Sequence, residues 1–286
     1  MLSLKQVVSI QSHVSYGYVG NRAAVFPLQR LGIDVSAVNT VQFSNHTGYG
    51  AWRGSIHSRE HIQELLLGLD EVGALESVDG ILSGYMGDVH LGRVIYEFVK
   101  AQKQCHPDLF YCCDPVIGDI GRGVFVKPGV GEFFRDELIS LADLITPNVF
   151  ELEFLSGCKV NSLFDILAAC DQLRCRPEQA ICVTSVQSDD HHVALLMDTN
   201  EGSWLVKTPF LSFNIAPNGA GDLTASLLLG RYLMQRSLAK AVQLAAASVY
   251  QVFAMTFAEG SRELQLIRAQ DQLVEPTVEF ELEKIR

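Results

Sequence analysis

Alternation constrains this chain more than any other feature. Short apolar runs of strand character give way repeatedly to runs of helical spacing. Gln6–Gln11 reads as a strand followed by a Gly-rich loop, Arg22–Leu31 as a helix ended by Gly32, and valine-rich Ile33–Phe43 as a second strand. After the polar, Gly-rich loop Ser44–Gly54 come a helix at Ser58–Leu69, a strand at Val78–Ser83, a helix at Leu91–Cys105 and a strand at Leu109–Asp114. Leu144–Thr146 reads as a strand, Phe150–Leu155 and Phe164–Leu173 as helices, and Ala180–Ser185 as a continuously apolar strand. His192–Asp198 and Ser203–Thr208 form a hairpin pattern around Asn200-Glu201-Gly202, and two long helices follow, about Ala220–Gln235 and Leu238–Phe257. Strands alternating with helices imply βαβ units: a mostly parallel sheet, helices on both faces, and ligands at the carboxyl ends of strands. No Pro-rich linker, charge block or internal repeat interrupts the pattern, so residues 1–286 are expected to form one α/β domain.

Charge and composition narrow the function. A formal net charge of −11 argues against a sequence-independent nucleic-acid binder, which needs a basic face. It is compatible with a nucleotide substrate that arrives with Mg²⁺ and meets one amide-lined pocket. No segment approaches 18 uninterrupted apolar residues, and Met1-Leu2-Ser3-Leu4-Lys5 lacks the regions of a signal peptide. A cytoplasmic chain with no membrane span is expected. The seven cysteines include no C-x-x-C pair, and Cys112, Cys113 and Cys182 fall in apolar strand runs, where they read as reduced core residues. His57 and His61 have the spacing of a metal pair, but no third ligand accompanies them in the sequence.

The motifs lie where this architecture puts ligands. Asn218-Gly219-Ala220-Gly221-Asp222 opens the first long closing helix. Backbone N–H groups at such a turn can converge on one anion, small residues let it approach, and Asp222 can accept a proton from an attacking hydroxyl. The simpler reading is a tight turn whose acid serves the helix dipole. Cys113-Asp114-Pro115-Val116-Ile117-Gly118-Asp119 ends a strand with an acid, and Thr146-Pro147-Asn148-Val149-Phe150-Glu151 ends another and starts a helix with one. These acids fit either helix stabilisation or a Mg²⁺ site on phosphates. Gln11–Asn21 and Gln42–Gly50 are loops dense in hydroxyls, amides and aromatics, a mix that suits a planar polar ligand and equally a well-capped loop. There is no G-x-x-x-x-G-K-[ST], no G-x-G-x-x-G after the first strand and no G-x-S-x-G.

Through Gly219-Ala220-Gly221-Asp222 the chain resembles the ribokinase-like superfamily, whose fold is three-layered with a central, mostly parallel sheet. It resembles the pyridoxal kinases more closely. That likeness rests on Ser9-Ile10-Gln11-Ser12-His13, Gly17–Ala24, Asn39–Tyr49, Ser83-Gly84-Tyr85, Cys113–Asp119 and Ile145–Asn148. It implies ATP-dependent phosphorylation of the 5′-hydroxymethyl group of pyridoxal and related B6 vitamers. Under it, Ser12, Val19, His46, Thr47, Gly48 and Tyr85 would bind the vitamer, and Asp222 would be the base. Gly219, Ala220 and Gly221 would form the anion hole. Asp114 and Glu151 would lie by the phosphates and Mg²⁺, with Thr146, Asn148 and Thr184 near the phosphates and Thr208, Pro209, Phe210 and Leu211 near adenine. The family also implies a monovalent cation, K⁺, and a homodimer. Asn218 stands where a valine or lysine is familiar, a departure that bears on vitamer preference. Two other readings share parts of the pattern: a kinase for another alcohol, such as hydroxymethylpyrimidine, and a non-catalytic B6 binder.

Overall fold

The computed structural model describes residues 4–286. Its main sheet has ten strands in the order β12-β11-β10-β9-β8-β5-β4-β1-β2-β3. In chain order the first half comprises β1 (Lys5–Val14), α1 (Asn21–Arg30), β2 (Ile33–Phe43), β3 (Gly54–Ile56), α2 (Arg59–Glu71), β4 (Gly80–Ser83), α3 (Val89–Cys105) and β5 (Phe110–Cys113). A two-stranded ribbon of β6 (Gly118–Asp119) and β7 (Gly123–Val124) follows, then α4 (Val130–Asp136), β8 (Leu144–Ile145), α5 (Val149–Ser156) and α6 (Leu163–Leu173). The second half holds β9 (Ala180–Asp189), β10 (His192–Thr199), β11 (Gly202–Pro209), α7 (Ala220–Gln235), α8 (Leu238–Ala258), α9 (Gln270–Val274) and β12 (Glu283–Lys284).

The block β2-β1-β4-β5-β8-β9 is parallel, whereas β3 and the β10–β12 end are antiparallel. The strand period of two sorts side chains onto two cores. Val8, Ile81, Tyr111, Cys113, Ile181 and Val183 enter the core that includes residues of α2 to α6, while Val7, Leu82, Cys112, Ala180 and Cys182 enter the one that includes residues of α1, α7 and α8. Both faces are covered, which is why these strands read as unbroken apolar runs.

α8 is a 21-residue helix long and apolar enough to cross a membrane by length and composition. Here it packs on α7, α9, β10 and β11, and Gln243 Nε2 donates to Phe280 O at 2.7 Å. That is the setting of a core helix in this fold. The seven cysteines are free thiols.

The expectation that the Gly-rich loop starts at Gln11 is corrected. β1 runs on through Val14, still paired with β2, because a register shift between Gln11 and His13 absorbs the irregularity and lets the ladder continue. Ser12 therefore sits on a strand, at a bulge, the device that re-aims side chains near sites. The ribbon β6–β7, α4 and the small elements β3, α9 and β12 are additions to the sequence-based pattern.

Candidate active site

Chain order reverses at β1: β2 lies on one side and β4 on the other. In such sheets a crevice opens outside the carboxyl ends of the strands. The ends of β1, β4, β5 and β8 deliver Ser12, Tyr85, Asp114 and Thr146 to that edge, and Thr184 joins them from the middle of β9, which runs past the expected end at Ser185 to Asp189.

The turn before α7 closes the crevice. Gly219 is the residue before the helix, with φ +90, and no side chain caps the helix start. The N–H groups of Ala220 and Gly221 have no intrahelical acceptor, so they form a concentrated anion-binding end. Gly219 is required twice over: its φ suits glycine, and a Cβ would run into the Tyr18 carbonyl. Asp222 is half-buried in this turn. Burial raises its pKa, while N–H bonds from Gly20 and its own backbone hold the shift back. Gly20 also presses on Ser12, so a Cβ there would strike the Ser12 carbonyl. Gly20 thus links Ser12 to Asp222, and the sequence reading gave it no individual role.

Asp114 is buried, and its pKa is raised well above the carboxylate range by burial first and then by Glu151 and Asp222. Thr146 Oγ1 donates to Asp114 Oδ1 at 3.0 Å. Its Oδ2 faces the turn, 3.6 Å from where a Cβ on Gly221 would stand. Glu151 has a different task. It completes the capping box of α5 with Asn148, and its Oε1 accepts from Ile117 N (2.9 Å) and Gly118 N (3.3 Å). Burial pushes its pKa up to about 7 despite these bonds. Asn148 bridges to Thr184 across β8 and β9 and donates from Nδ2 to Gly118 O at 2.8 Å.

Next to this acidic group lies a cleft of about 570 Å³. Thr184, Thr208, Pro209, Phe210, Leu211, Ala220 and Gly221 line it, as do Tyr250 and Phe253 of α8. No Lys or Arg is among its lining residues. The α8 contribution was missed from sequence, because an aromatic on a long apolar helix carries no signal of what it faces. A shallower depression near Arg174, Arg176 and Arg286 lies at the far end of β10 and β11, and its arginines are paired with Asp143, Asp171 and Asp198.

On the other side of the turn, Val19 packs with Val14, Val41 and Phe43, and Tyr85 lies against this cluster. Thr40 Oγ1 fixes the Tyr85 carbonyl at 2.7 Å. Thr47 and Gly48 are exposed on the short 3₁₀ turn Thr47–Tyr49. A Cβ on Gly48 would lie 3.8 Å from Asn218 Nδ2, so this turn borders the anion-binding end. His46 Nδ1 accepts from Gly48 N at 3.1 Å, which leaves the ring proton on Nε2. Burial, then the nearby charges of Arg122 and Arg262, lower its pKa to about 4. Arg122 comes from the β6–β7 ribbon and pairs with Asp119. His57 and His61 stack with centroids 4.6 Å apart at the start of α2.

The His46 shift has a direct test. NMR of the imidazole should give a midpoint of about 4. A midpoint near the ordinary value of about 6.5 would mean that the pocket is wet and the turn open. The sign follows from linkage. The folded pKa lies below the unfolded one, so the unfolded chain takes the proton first. Stability is lost as pH falls from 6.5 towards 4 and is fully present above that window.

Comparison with known proteins gives the family and the fold. Residues 71–266 match the phosphomethylpyrimidine kinase family. A protein of Rubrobacter xylanophilus named pyridoxal kinase PdxY is 48% identical over 283 residues, covering 98% of this chain and 97% of that one. One of the same name from Deinococcus radiodurans is 44% identical over 288 residues, covering 98% and 97%. Among solved structures, pyridoxal kinase from Leishmania donovani in complex with ADP and pyridoxamine superposes with a TM-score of 0.89 at 30% identity, covering 99% of this chain and 100% of that one. The fold is therefore ribokinase-like and the chain is a kinase. It belongs to the phosphomethylpyrimidine kinase family and, within it, to the pyridoxal kinases.

Proposed function

We propose that residues 1–286 act as one kinase domain that transfers the γ-phosphoryl of ATP to the 5′-hydroxymethyl group of pyridoxal, and of pyridoxine and pyridoxamine, in B6 salvage. The observation that carries this is the position of the 219–222 turn: Ala220 and Gly221 line the 570 Å³ cleft, while Asn218 lies by Gly48 and Gly219 rests on the Tyr18 carbonyl of the loop that holds Gly20 against Ser12. Nucleotide lies in the cleft, with adenine by Thr208–Leu211 and phosphates toward Thr184, Asn148 and Thr146. The vitamer lies against Val19, His46, Thr47, Gly48 and Tyr85, with Ser12 at the ring nitrogen. The amides of Gly219, Ala220 and Gly221 stabilise charge developing on the transferred group. Asp222, oriented by Gly20 N–H, accepts the alcohol proton.

Asp114, Glu151 and Asp222 gather without a neighbouring basic side chain among the causes of their shifts, a setting that fits a divalent cation. Asp114, with Oδ2 toward the turn, would hold Mg²⁺ directly, and Glu151 behind it, its oxygens taken by the N–H groups of Ile117, Gly118 and Asn148, would add its charge. When bound, it neutralises phosphate charge. K⁺ and a homodimer belong to the same reading and rest on the resemblance. Turnover in K⁺ against choline at equal ionic strength, and sedimentation of the purified chain, decide them.

The direct test is purified protein with MgATP, K⁺ and either pyridoxal or hydroxymethylpyrimidine, following phosphorylated product. Turnover of the pyrimidine alone would discard the ring-pocket assignments and keep Asp222. Ser12→Ala is expected to raise the pyridoxal KM about tenfold, the effect of one lost polar contact, with little change in the ATP KM. Equal rises in both would remove Ser12 from the ring site.

A further inference from the structure

The loop that orients Asp222 has an anchor nearly 250 residues away. Glu263 lies in the turn after α8. Its Oε2 accepts from Tyr18 N at 3.0 Å, and its carboxylate fills the space beside Gly17, which has φ +91. The same loop supplies the Tyr18 carbonyl beneath Gly219 and the Gly20 N–H on Asp222. The other oxygen faces elsewhere. Glu263 Oε1 accepts from Tyr49 Oη at 2.5 Å, at the end of the turn that carries Thr47 and Gly48. Arg262 makes a second fastening: its guanidinium stands 3.8 Å over the Tyr49 ring, and Nη2 donates to Gly48 O at 2.6 Å.

The anchor is itself held. Glu263 N donates to Ser261 Oγ at 3.0 Å, and Ser261 Oγ and Gln265 Nε2 donate to Glu263 O. Burial, then the bond to Glu263, pushes the Tyr49 hydroxyl up to about 12, so it stays a donor. Hydrogen bonds to an ionised acceptor are roughly twice as strong as neutral ones. One carboxylate thus ties the two segments that flank the proposed vitamer pocket, with one oxygen for each.

We propose that Glu263 is a positioning residue that fastens two loops at once, the 44–50 loop through Tyr49 and the 15–20 loop, with the alignment of Asp222, through Tyr18. It rests on the vitamer-kinase reading for its effect on turnover, but not for the tie itself. Fastening Tyr49 holds Thr47 and Gly48 over the pocket. Fastening Tyr18 holds the carbonyl that fits Gly219 and the amide that aims Asp222.

Three variants separate the two ends. Tyr49→Phe keeps the ring under Arg262 and removes only the hydroxyl. Glu263→Leu removes both acceptors, whereas Glu263→Gln can keep both partners, its Oε1 accepting from Tyr18 N and its amide N–H donating to a Tyr49 hydroxyl turned to accept. Hydrogen exchange on the unliganded protein is expected to speed at 44–50 in Tyr49→Phe, and at both 44–50 and 15–20 in Glu263→Leu, by about tenfold for each hydrogen bond lost. In turnover, Tyr49→Phe should raise the vitamer KM about five- to tenfold with kcat nearly unchanged. Glu263→Leu should also lower kcat about tenfold, Glu263→Gln should restore most of it, and the ATP KM should be unmoved in all three. Exchange unchanged at 15–20 in Glu263→Leu, or an ATP KM that rises with the vitamer KM, would overturn the double tie. Because exchange is read without substrate, a wild-type chain that phosphorylates a different alcohol would sink the vitamer reading and leave the exchange data to judge the tie.

Discussion

Asp222→Asn is expected to lower kcat by on the order of 10² to 10³, the typical contribution of a positioned general base. Asn keeps the size and can still accept from Gly20 N–H through its carbonyl oxygen, but it cannot take the alcohol proton. The ATP KM should barely move, because the anion-binding amides belong to the backbone of the same turn. The pH profile gives a second readout. The carboxyl titrates above the usual aspartate range, because burial outweighs the two backbone bonds. The base is lost as pH falls through that raised value, so the wild-type rate should decline on an acid limb displaced upward. The Asn variant should lack that limb. Near-normal turnover in the variant, or an acid limb that survives the substitution, would take the base role away from Asp222 and give it to another group. Asp114 is the alternative to examine then, being buried and pushed still further up.

Much of this site could be read from the chain, and the reason is local. Asp114 and Thr146 fall just past the ends of strands buried on both faces, Thr184 closes the apolar part of β9, and such strands show as unbroken apolar runs. Gly219–Asp222 declares itself because glycine with φ +90 and a helix start occupy adjacent residues. Asn148 and Glu151 are legible as a capping box, three residues apart. What stayed hidden depends on tertiary contact. β6 and β7 are two residues each, too short for any period to register. α4 is preceded by Gly129, which offers no side-chain cap, and keeps Gly131 inside, because Phe154 packs where a Cβ would stand. Its sequence therefore lacks ordinary start signals. The nucleotide cleft borrows Tyr250 and Phe253 from a helix whose composition announces only a core. Glu263 and Arg262 reach residues more than 200 positions earlier, and no spacing in the sequence records that meeting.

Gly219→Ala is expected to be the most damaging small substitution in the chain, and the contrast with Gly32→Ala isolates why. Both glycines have positive φ, +90 and +79. An alanine in that region costs about 1–2 kcal/mol of backbone strain wherever it sits. At Gly32 a Cβ meets nothing within 4 Å, so strain is the whole effect. A fall of a few degrees in Tm, at roughly 2–4 °C per kcal/mol for a large domain, and an unchanged kcat should follow. At Gly219 the Cβ meets the Tyr18 carbonyl, which is backbone and cannot swing aside. Either the 219–221 amides move off the transferred phosphoryl, or Tyr18 moves and takes Gly20 and its bond to Asp222 with it. Both routes reach the reacting groups. Loss of one donor to a developing anion costs about 10² to 10³ in kcat, and displacement of the turn affects three donors together. Thermal unfolding and single-turnover kinetics on the two variants give the answer. A Gly219→Ala enzyme that loses a few degrees in Tm but keeps its kcat would show that the turn tolerates a shift of its amides. The anion hole would then have to be sought among donors outside residues 219–221.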